Sequence, residues 1–214
     1  MLAMPCYDSK LSTYTATSLL STTMMFAKMG VKFEVNMLNN GTLIDAARNE
    51  LADAFLKSDC TIMICIDSDM EWSKDDMLQL AAFSTEYPVV AGSYTTKTEE
   101  PKFIIDIANS TPNKHGLLEI KHVGFGFVAI QRQVYERLSE KVETYRHNAT
   151  GQKLKAFFRT EIIDGEYIGE DIFFFKQLPK INEKAYLIPK INLGHIGTKN
   201  YNTPFMVAYN QKYN

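Results

Sequence analysis

The sequence predicts an α/β fold built as one domain, with a mostly parallel sheet in its first half. Strand and helix patterns alternate through the first 94 residues, which is typical of right-handed βαβ units. Shorter strands follow after residue 100, so we expect the sheet to continue into a mixed second half. The 214 residues suffice to bury a core without disulfides, and they contain no repeat or obvious linker.

The composition is that of an ordinary globular protein. Apolar residues make up 45% and charged residues 22%, and no run approaches the roughly 20 apolar residues of a membrane span. The first residues lack the basic and apolar segments of a signal peptide. Cys6, Cys60 and Cys65 are odd in number and match no metal-ligand spacing. We therefore expect a protein of the reducing cytoplasm, without a membrane span.

The first half has four predicted strands and three predicted helices. Gly30 is expected as the C′ residue of the first helix. Thr42-x-x-Asp45 is typical of a capping box for the second helix, and Ser73-x-x-Asp76 is expected to open the third. Strands are predicted at residues 2–4, 32–38, 62–66 and 89–94, and helices at 13–29, 43–57 and after Ser73.

The second half has weaker and shorter patterns. Residues 143–155 are polar and are expected to form a flexible loop, and Asp164-Gly165 predicts a turn. Strands are predicted at residues 102–107, 117–123, 127–130, 157–163 and 185–193, and helices at 131–138 and 170–178.

An Asp-x-Asp pair follows the most apolar strand. Five apolar residues, 62–66, predict a strand buried on both faces, and Asp67 and Asp69 come directly after it. Ligands of open α/β sheets bind at the carboxyl ends of strands. Two carboxylates there repel each other unless a cation lies between them. Such acids can also cap the next helix, but Ser73 already serves that purpose, so the pair predicts a site for a divalent metal and a phosphate-bearing ligand.

Two further acids precede an aromatic run. Glu170 and Asp171 follow Gly169 and lead into residues 173–175, all phenylalanine, which would anchor one helix face in the core. A carboxylate held by such an anchor can serve as a positioned general base. The alternative is a favourable interaction of both acids with the helix dipole.

Several other residues are compatible with ligand binding. His195 follows the last predicted strand between two glycines and is a third possible metal ligand, while Lys199 could reach a diphosphate. Gly124 and Gly126 could let a sugar-sized ligand lie against the backbone, or could mark only a bend. Arg48 interrupts an apolar helix pattern and could face a nucleotide or solvent.

The net charge of −2 is unevenly distributed. Residues 176–214 contain six lysines and one acid, a charge of +5, which leaves −7 for the rest of the chain. This segment could contact phosphates of a nucleotide or a nucleic acid, or could be a solvated lysine-rich face.

In their order and spacing, these motifs resemble GT-A fold glycosyltransferases, and especially small glycosyltransferase-like proteins of bacteriophages related to the family 2 and Anp1-like enzymes. The resemblance covers nearly the whole chain. It rests on Met-Pro-Cys-Tyr from residue 4, Ala-Arg-Asn from 47, Ile-Asp-Ser-Asp-Met from 66, Gly-Phe-Gly-Phe from 124, Gly-Glu-Asp-Ile-Phe from 169 and Gly-His-Ile-Gly from 194.

The resemblance implies a nucleotide-sugar donor, often a UDP-sugar, bound with Mn²⁺ or Mg²⁺. Residues 1–100 would form the nucleotide-sugar-binding half and residues 101–214 the acceptor and catalytic half. The implied roles are metal binding for Asp69, metal or ribose contact for Asp67, completion of the metal shell for His195, diphosphate neutralisation for Lys199, nucleoside contact for Pro5, Tyr7 and Arg48, and general base for Asp171 beside Glu170.

The resemblance leaves the stereochemistry and the acceptor open. It favours an inverting displacement, although the spacing of His195, Gly197 and Lys199 also occurs in retaining enzymes of family 8. The bacteriophage likeness and the basic segment together make a hydroxymethylated DNA base one possible acceptor, with a glycan or a protein as others.

Two other functions remain open at this point. A haloacid-dehalogenase-type phosphatase also uses an Asp-x-Asp after a buried strand, but normally after the first strand rather than the third. A non-catalytic module that binds nucleotides or nucleic acid is the second alternative.

Overall fold

Strands and helices alternate along the first ninety residues, and short strands dominate the rest. The computed structural model describes residues 1–39, 43–148 and 150–213. The helices are α1 (Thr13–Lys28), α2 (Ile44–Lys57), α3 (Lys74–Phe83), α4 (Arg132–Ser139), α5 (Glu170–Gln177), continued by a 3₁₀ turn (Leu178–Ile181), and α6 (Phe205–Tyr213). The strands are β1 (Leu2–Cys6), β2 (Val35–Asn39), β3 (Ile62–Ile66), β4 (Met70–Glu71), β5 (Val89–Ala91), β6 (Ile105–Asn109), β7 (Leu118–Val123), β8 (Phe127–Gln131), β9 (Thr144–Arg146), β10 (Lys153–Lys155), β11 (Glu161–Ile163), β12 (Glu166–Ile168), β13 (Ala185–Leu187), β14 (Gly194–Ile196) and β15 (Asn200–Asn202).

One large sheet carries the fold. Across the described residues it has eight strands in the order β2-β1-β3-β8-β5-β13-β7-β6. Strand β1 pairs in parallel with β2 and β3, and β5 pairs in parallel with β13. Strands β8 and β7 run antiparallel to both of their neighbours, so the other six strands share one direction. This confirms the predicted α/β class, with a mostly parallel sheet that becomes mixed.

The sheet buries apolar side chains on both faces. Met63 and Cys65 of β3 pack in one core with α2, α4 and α5, whereas Ile64 and Ile66 pack in the other with α1 and α3. The alternation follows from the two-residue period of a strand, which sends successive side chains to opposite faces. Strand β3 is therefore covered on both sides, as its continuous apolar sequence predicts.

A second, small sheet was not predicted. It has the order β15-β14-β4, and His195 of β14 pairs with Met70 of β4. The prediction of one strand over residues 185–193 is wrong, because β13 ends at Leu187 and the buried side chains after it lie in irregular backbone. Strand β14 begins only at Gly194, and its backbone is joined to Asp69, whose carbonyl accepts the Ile196 N–H at 2.7 Å.

Two other predictions in the second half are wrong. The expected loop at 143–155 contains the hairpin β9–β10, in which Leu154 is the buried side chain. The expected strand at 157–163 begins only at Glu161, because Phe157 and Phe158 turn into the aromatic core. The pattern is misleading here since consecutive buried aromatic residues fit either structure.

Several local signals are confirmed. Gly30 has φ +68° after α1, and Ser73 forms a reciprocal capping box with Asp76. Asp164 and Gly165 both have positive φ and join β11 to β12 in a two-residue hairpin turn. The capping box expected at Thr42 lies outside the described residues. Strand limits shift elsewhere: the strands predicted at 32–38, 89–94 and 102–107 are observed as β2, β5 and β6.

Candidate active site

A cavity of about 750 Å³ opens beyond the carboxyl ends of β1, β3 and β5. This is the edge at which parallel sheets bind ligands. The cavity brings together most of the residues singled out from the sequence, although the chain separates them widely. Those that line it are Pro5, Tyr7, Arg48, Asp67, Asp69, Glu170, Asp171 and His195.

Arg48 links two acidic groups on the cavity floor. Its guanidinium lies 2.9 Å from Oδ1 of Asp67 and 2.5 Å from Oε1 of Glu170, and its side chain is only 6% exposed. Burial alone would lower the pKa of Arg48, but the two carboxylates together raise it above its ordinary value. The guanidinium also lies over the ring of Phe125, 5.1 Å from its centroid. Arg48 therefore ties the end of β3 to the start of α5.

Glu170 and Asp171 have different surroundings. Burial raises the pKa of Glu170, although Arg48 acts in the opposite direction and the neighbouring Asp171 adds to the rise. The carboxylate of Glu170 is committed to Arg48. That of Asp171 accepts one hydrogen bond among the described residues, from the Ile172 N–H at 2.7 Å. Of the two acids, Asp171 is the one available to a ligand in the cavity.

Asp69 faces a cation on one oxygen and an imidazole on the other. The ammonium group of Lys97 bonds to Oδ2, and Nε2 of His195 lies 3.7 Å from Oδ1. Within the described part of the chain, Oδ1 is shielded from solvent and has no hydrogen-bond partner. A shielded carboxylate oxygen without a partner is costly unless a ligand or ion satisfies it.

The tautomer of His195 is set by the backbone. Its Nδ1 lies 2.8 Å from the carbonyl oxygen of Thr95, so the proton is assigned to Nδ1 and the lone pair to Nε2. Burial lowers the pKa of His195, against the opposing effect of the Thr95 carbonyl, and so favours the neutral ring. Neutral imidazole with a free Nε2 is the form that binds metals.

These donors fit a divalent cation in part. No group of three or more His, Cys, Asp or Glu side chains surrounds one metal position in residues 1–39, 43–148 and 150–213. Asp67 is turned toward Arg48, which leaves Asp69 and His195 as the protein donors. A hard cation such as Mg²⁺ commonly keeps few protein ligands and completes its shell with water and phosphate oxygens.

Tyr94 accounts for the two glycines. A Cβ on Gly124 would lie 2.5 Å from the Tyr94 hydroxyl, and one on Gly126 would lie 2.9 Å from its ring. The hydroxyl accepts the Gly126 N–H at 3.1 Å. Burial and the nearby Asp67 raise the pKa of Tyr94. The structure thus places both glycines against a cavity-lining tyrosine rather than at the cavity surface.

Lys199 lies elsewhere in the structure. Its Nζ is 5.1 Å from the ring centroid of Tyr201, and it does not line the cavity. Other lysines of the basic segment have local partners, such as Lys184 on Glu119 and Lys180 on Gln177. The positive charge nearest to Asp69 comes instead from Lys97.

Sequence reasoning missed Tyr94 and Tyr167, which line the cavity, and Lys97, which pairs with Asp69. Tyr94 and Lys97 follow β5, whose carboxyl end lies at the same sheet edge as that of β3, and this position was an available signal. Tyr167 belongs to β12, a strand of three residues with too little pattern to predict. Its position beside the acids of α5 depends on the hairpin with β11.

Comparison with known proteins shows the fold. The structure is similar to that of A197 from STIV, with a TM-score of 0.58 and 20% identity, over 92% of this chain and 84% of that one. It is also similar to GalNAc-T7, whose structure contains UDP, GalNAc and Mn²⁺, with a TM-score of 0.55 and 11% identity. That match covers 92% of this chain but only 43% of GalNAc-T7. No family model and no curated protein sequence matches. The chain therefore has a GT-A-like α/β fold, as predicted.

Proposed function

We propose that the protein is a metal-dependent glycosyltransferase that moves a sugar from a UDP-sugar to an acceptor hydroxyl with inversion. One observation carries the proposal. A single cavity at the ligand-binding edge of a GT-A-like sheet holds a metal-type donor pair, Asp69 and His195, together with an available carboxylate, Asp171. The motif order further suggests kinship with family 2 and Anp1-like enzymes and with small bacteriophage proteins, acting in the cytoplasm.

The donor side depends on the end of β3. Asp69 and His195 would hold Mn²⁺ or Mg²⁺, which, when bound, supplies Lewis-acid neutralisation of the departing diphosphate. Arg48 orients Asp67 in the cavity through an ion pair. Pro5 and Tyr7, at the end of β1, line the same cavity and are available to the nucleoside.

The acceptor side depends on the start of α5. Asp171 would take the proton of the acceptor hydroxyl as the new bond to the anomeric carbon forms and the bond to the diphosphate breaks. Such general-base assistance is typically worth about 10²- to 10⁴-fold in rate. Glu170, held by Arg48, fixes the first turn of α5 and so orients Asp171.

The phosphatase alternative has less support. It requires Asp67 as a nucleophile, but Arg48 holds that carboxylate in a partly buried ion pair. It also requires a different fold from the GT-A-like one observed. A non-catalytic binding module remains the competing outcome of the experiment below.

The test is hydrolysis of and binding to UDP-sugars. We expect thermal stabilisation by UDP with Mn²⁺ and slow hydrolysis of at least one donor from a panel of UDP-hexoses and UDP-N-acetylhexosamines. Asp69→Ala should abolish both, whereas Asp59→Ala, at an exposed site after α2, should leave both unchanged. Binding without turnover of any donor would favour a binding module, and no response to any donor would overturn the proposal.

A further inference from the structure

The hairpin β11–β12 exposes two large apolar side chains side by side. Ile162 and Tyr167 are directly paired across the hairpin, and they are 73% and 76% exposed. On its other face the hairpin is anchored by Ile168, which is 6% exposed. The two positive-φ residues of the turn hold the strands in this register. The apolar pair is thus exposed to solvent on a short hairpin whose turn fixes its register.

One member of this exposed pair belongs to the candidate active site. Tyr167 lines the cavity, and Asp171 follows it by four residues along the chain. A second exposed ring, that of Tyr7, lines the same cavity. Hexose rings have apolar C–H faces that pack on aromatic rings while their hydroxyls remain free to hydrogen-bond. The hairpin therefore offers a flat apolar platform beside the general base.

The negative charge near this hairpin disfavours a nucleic acid as the acceptor. Residues 161–171 contain five acids and no lysine or arginine; Glu170 and Asp171 line the cavity with Tyr167, whereas the strand acids lie on the opposite face of the hairpin. Arg159 pairs with Glu161 and Arg48 with Glu170, and no described cation forms an ion pair with Asp164, Glu166 or Asp171. A nucleic acid would bring a phosphate charge about every 1.7 Å to this acidic surface and would be repelled. None of the lysines described in residues 176–214 lines the cavity to offset this repulsion.

We infer that the β11–β12 hairpin is the acceptor subsite and that its acceptor is an uncharged saccharide, stacked on Tyr167. The inference rests on the proposed glycosyltransferase function and specifies its acceptor class. It disfavours DNA carrying hydroxymethylated bases, which the sequence left open.

The test measures acceptor binding without any donor. Saturation-transfer NMR with methyl glycosides of glucose, galactose, mannose and N-acetylglucosamine should show contact with the C–H face of at least one sugar. Tyr167→Phe should retain this binding, because the ring face remains, whereas Tyr167→Ala should weaken it about tenfold. Ile162→Ser should weaken it less, and Tyr14→Ala, on α1, should leave it unchanged.

Three results would overturn the inference. They are the absence of binding by every glycoside, equal binding by Tyr167→Ala, and tighter binding of a hydroxymethylated DNA duplex than of any glycoside at the same salt concentration. UDP-sugar hydrolysis is assayed separately. Loss of saccharide binding with donor turnover intact refutes the acceptor subsite alone, whereas saccharide binding without any donor response refutes the proposed transferase.

Discussion

The two sides of the cavity, the end of β3 and the β11–β12 hairpin with the start of α5, differ in how their carboxylates are paired. On the β3 side each carboxylate faces a cation or an imidazole: Asp67 faces Arg48, and Asp69 faces Lys97 and His195. On the hairpin side Asp171 has no described ion-pair partner and lines the cavity beside the exposed ring of Tyr167. The first arrangement suits a ligand that carries its own anionic diphosphate and metal. The second suits a ligand without charge. This asymmetry fits the proposed sugar transfer, in which only the donor carries a charged leaving group.

The strongest challenge to this comparison is Asp171→Asn. We expect the rate of sugar transfer to fall about 10²- to 10⁴-fold, because the asparagine side chain cannot take the proton from the hydroxyl of the sugar acceptor. UDP binding should persist, since the β3 side is intact. The measurement is steady-state transfer alongside calorimetric UDP titration, with Asp59→Asn as the matched control. Equal transfer rates for Asp171→Asn and the native protein would show that Asp171 is not the general base.

Arg48→Met tests whether the two sides are physically joined. The change leaves two partly buried carboxylates without their shared partner, so the free energy of unfolding should fall by about 3–5 kcal/mol. Urea denaturation followed by circular dichroism measures it. Arg146→Met, an exposed arginine on β9, should change stability by less than about 0.5 kcal/mol. A loss below about 1 kcal/mol for Arg48→Met would mean that the link contributes little.

Lys97→Met tests how the β3 side admits a metal. Lys97 places a positive charge on Asp69, so its removal should strengthen Mn²⁺ binding about tenfold in the absence of nucleotide. Titration calorimetry with Mn²⁺ measures the change, and Lys97→Arg, which keeps the charge, should bind as the native protein does. Weaker Mn²⁺ binding by Lys97→Met would indicate that Lys97 supports the metal site instead of competing with the cation.

Tyr94→Phe should have the smallest effect. It removes the acceptor of the Gly126 N–H in a buried setting, which should cost about 1 kcal/mol of stability. Because the ring still fills the space beside both glycines, the cavity should keep its shape. Thermal denaturation measures the change, with Tyr14→Phe as an exposed control. A stability loss above about 3 kcal/mol would assign Tyr94 a larger part in holding the cavity together.

The sequence was most informative for β3, whose residues are all apolar. The apolar run of β3 predicted both its burial and the position of Asp67 and Asp69 at a ligand-binding edge, because the rule for parallel strands is general. It could not predict that Arg48 joins Asp67 to Glu170, since that contact spans 122 residues and depends on the packing of α2 and α5. Lys97 was missed because it lies in a polar segment without periodicity.

Short strands set the other limit. Strands β14 and β15 have three residues each, too few for an alternation to stand out from irregular chain. Their sheet nevertheless brings His195 to Asp69. The glycine pair shows the reverse case: its pattern was visible, but the neighbour that requires it, Tyr94, was not.

The antiparallel strand β8 also determines when the site can form during folding. It lies between β3 and β5, which are near in sequence but do not pair with each other. Those two strands therefore stay unjoined until residues 127–131 arrive from far along the chain. Contacts of such high sequence separation slow folding, because the entropy of closing the loop is lost before pairing compensates for it. The same delay applies to the contact of His195 with Asp69, so the imidazole reaches the Asp pair later than Arg48 and Lys97, which lie nearer to the pair along the chain.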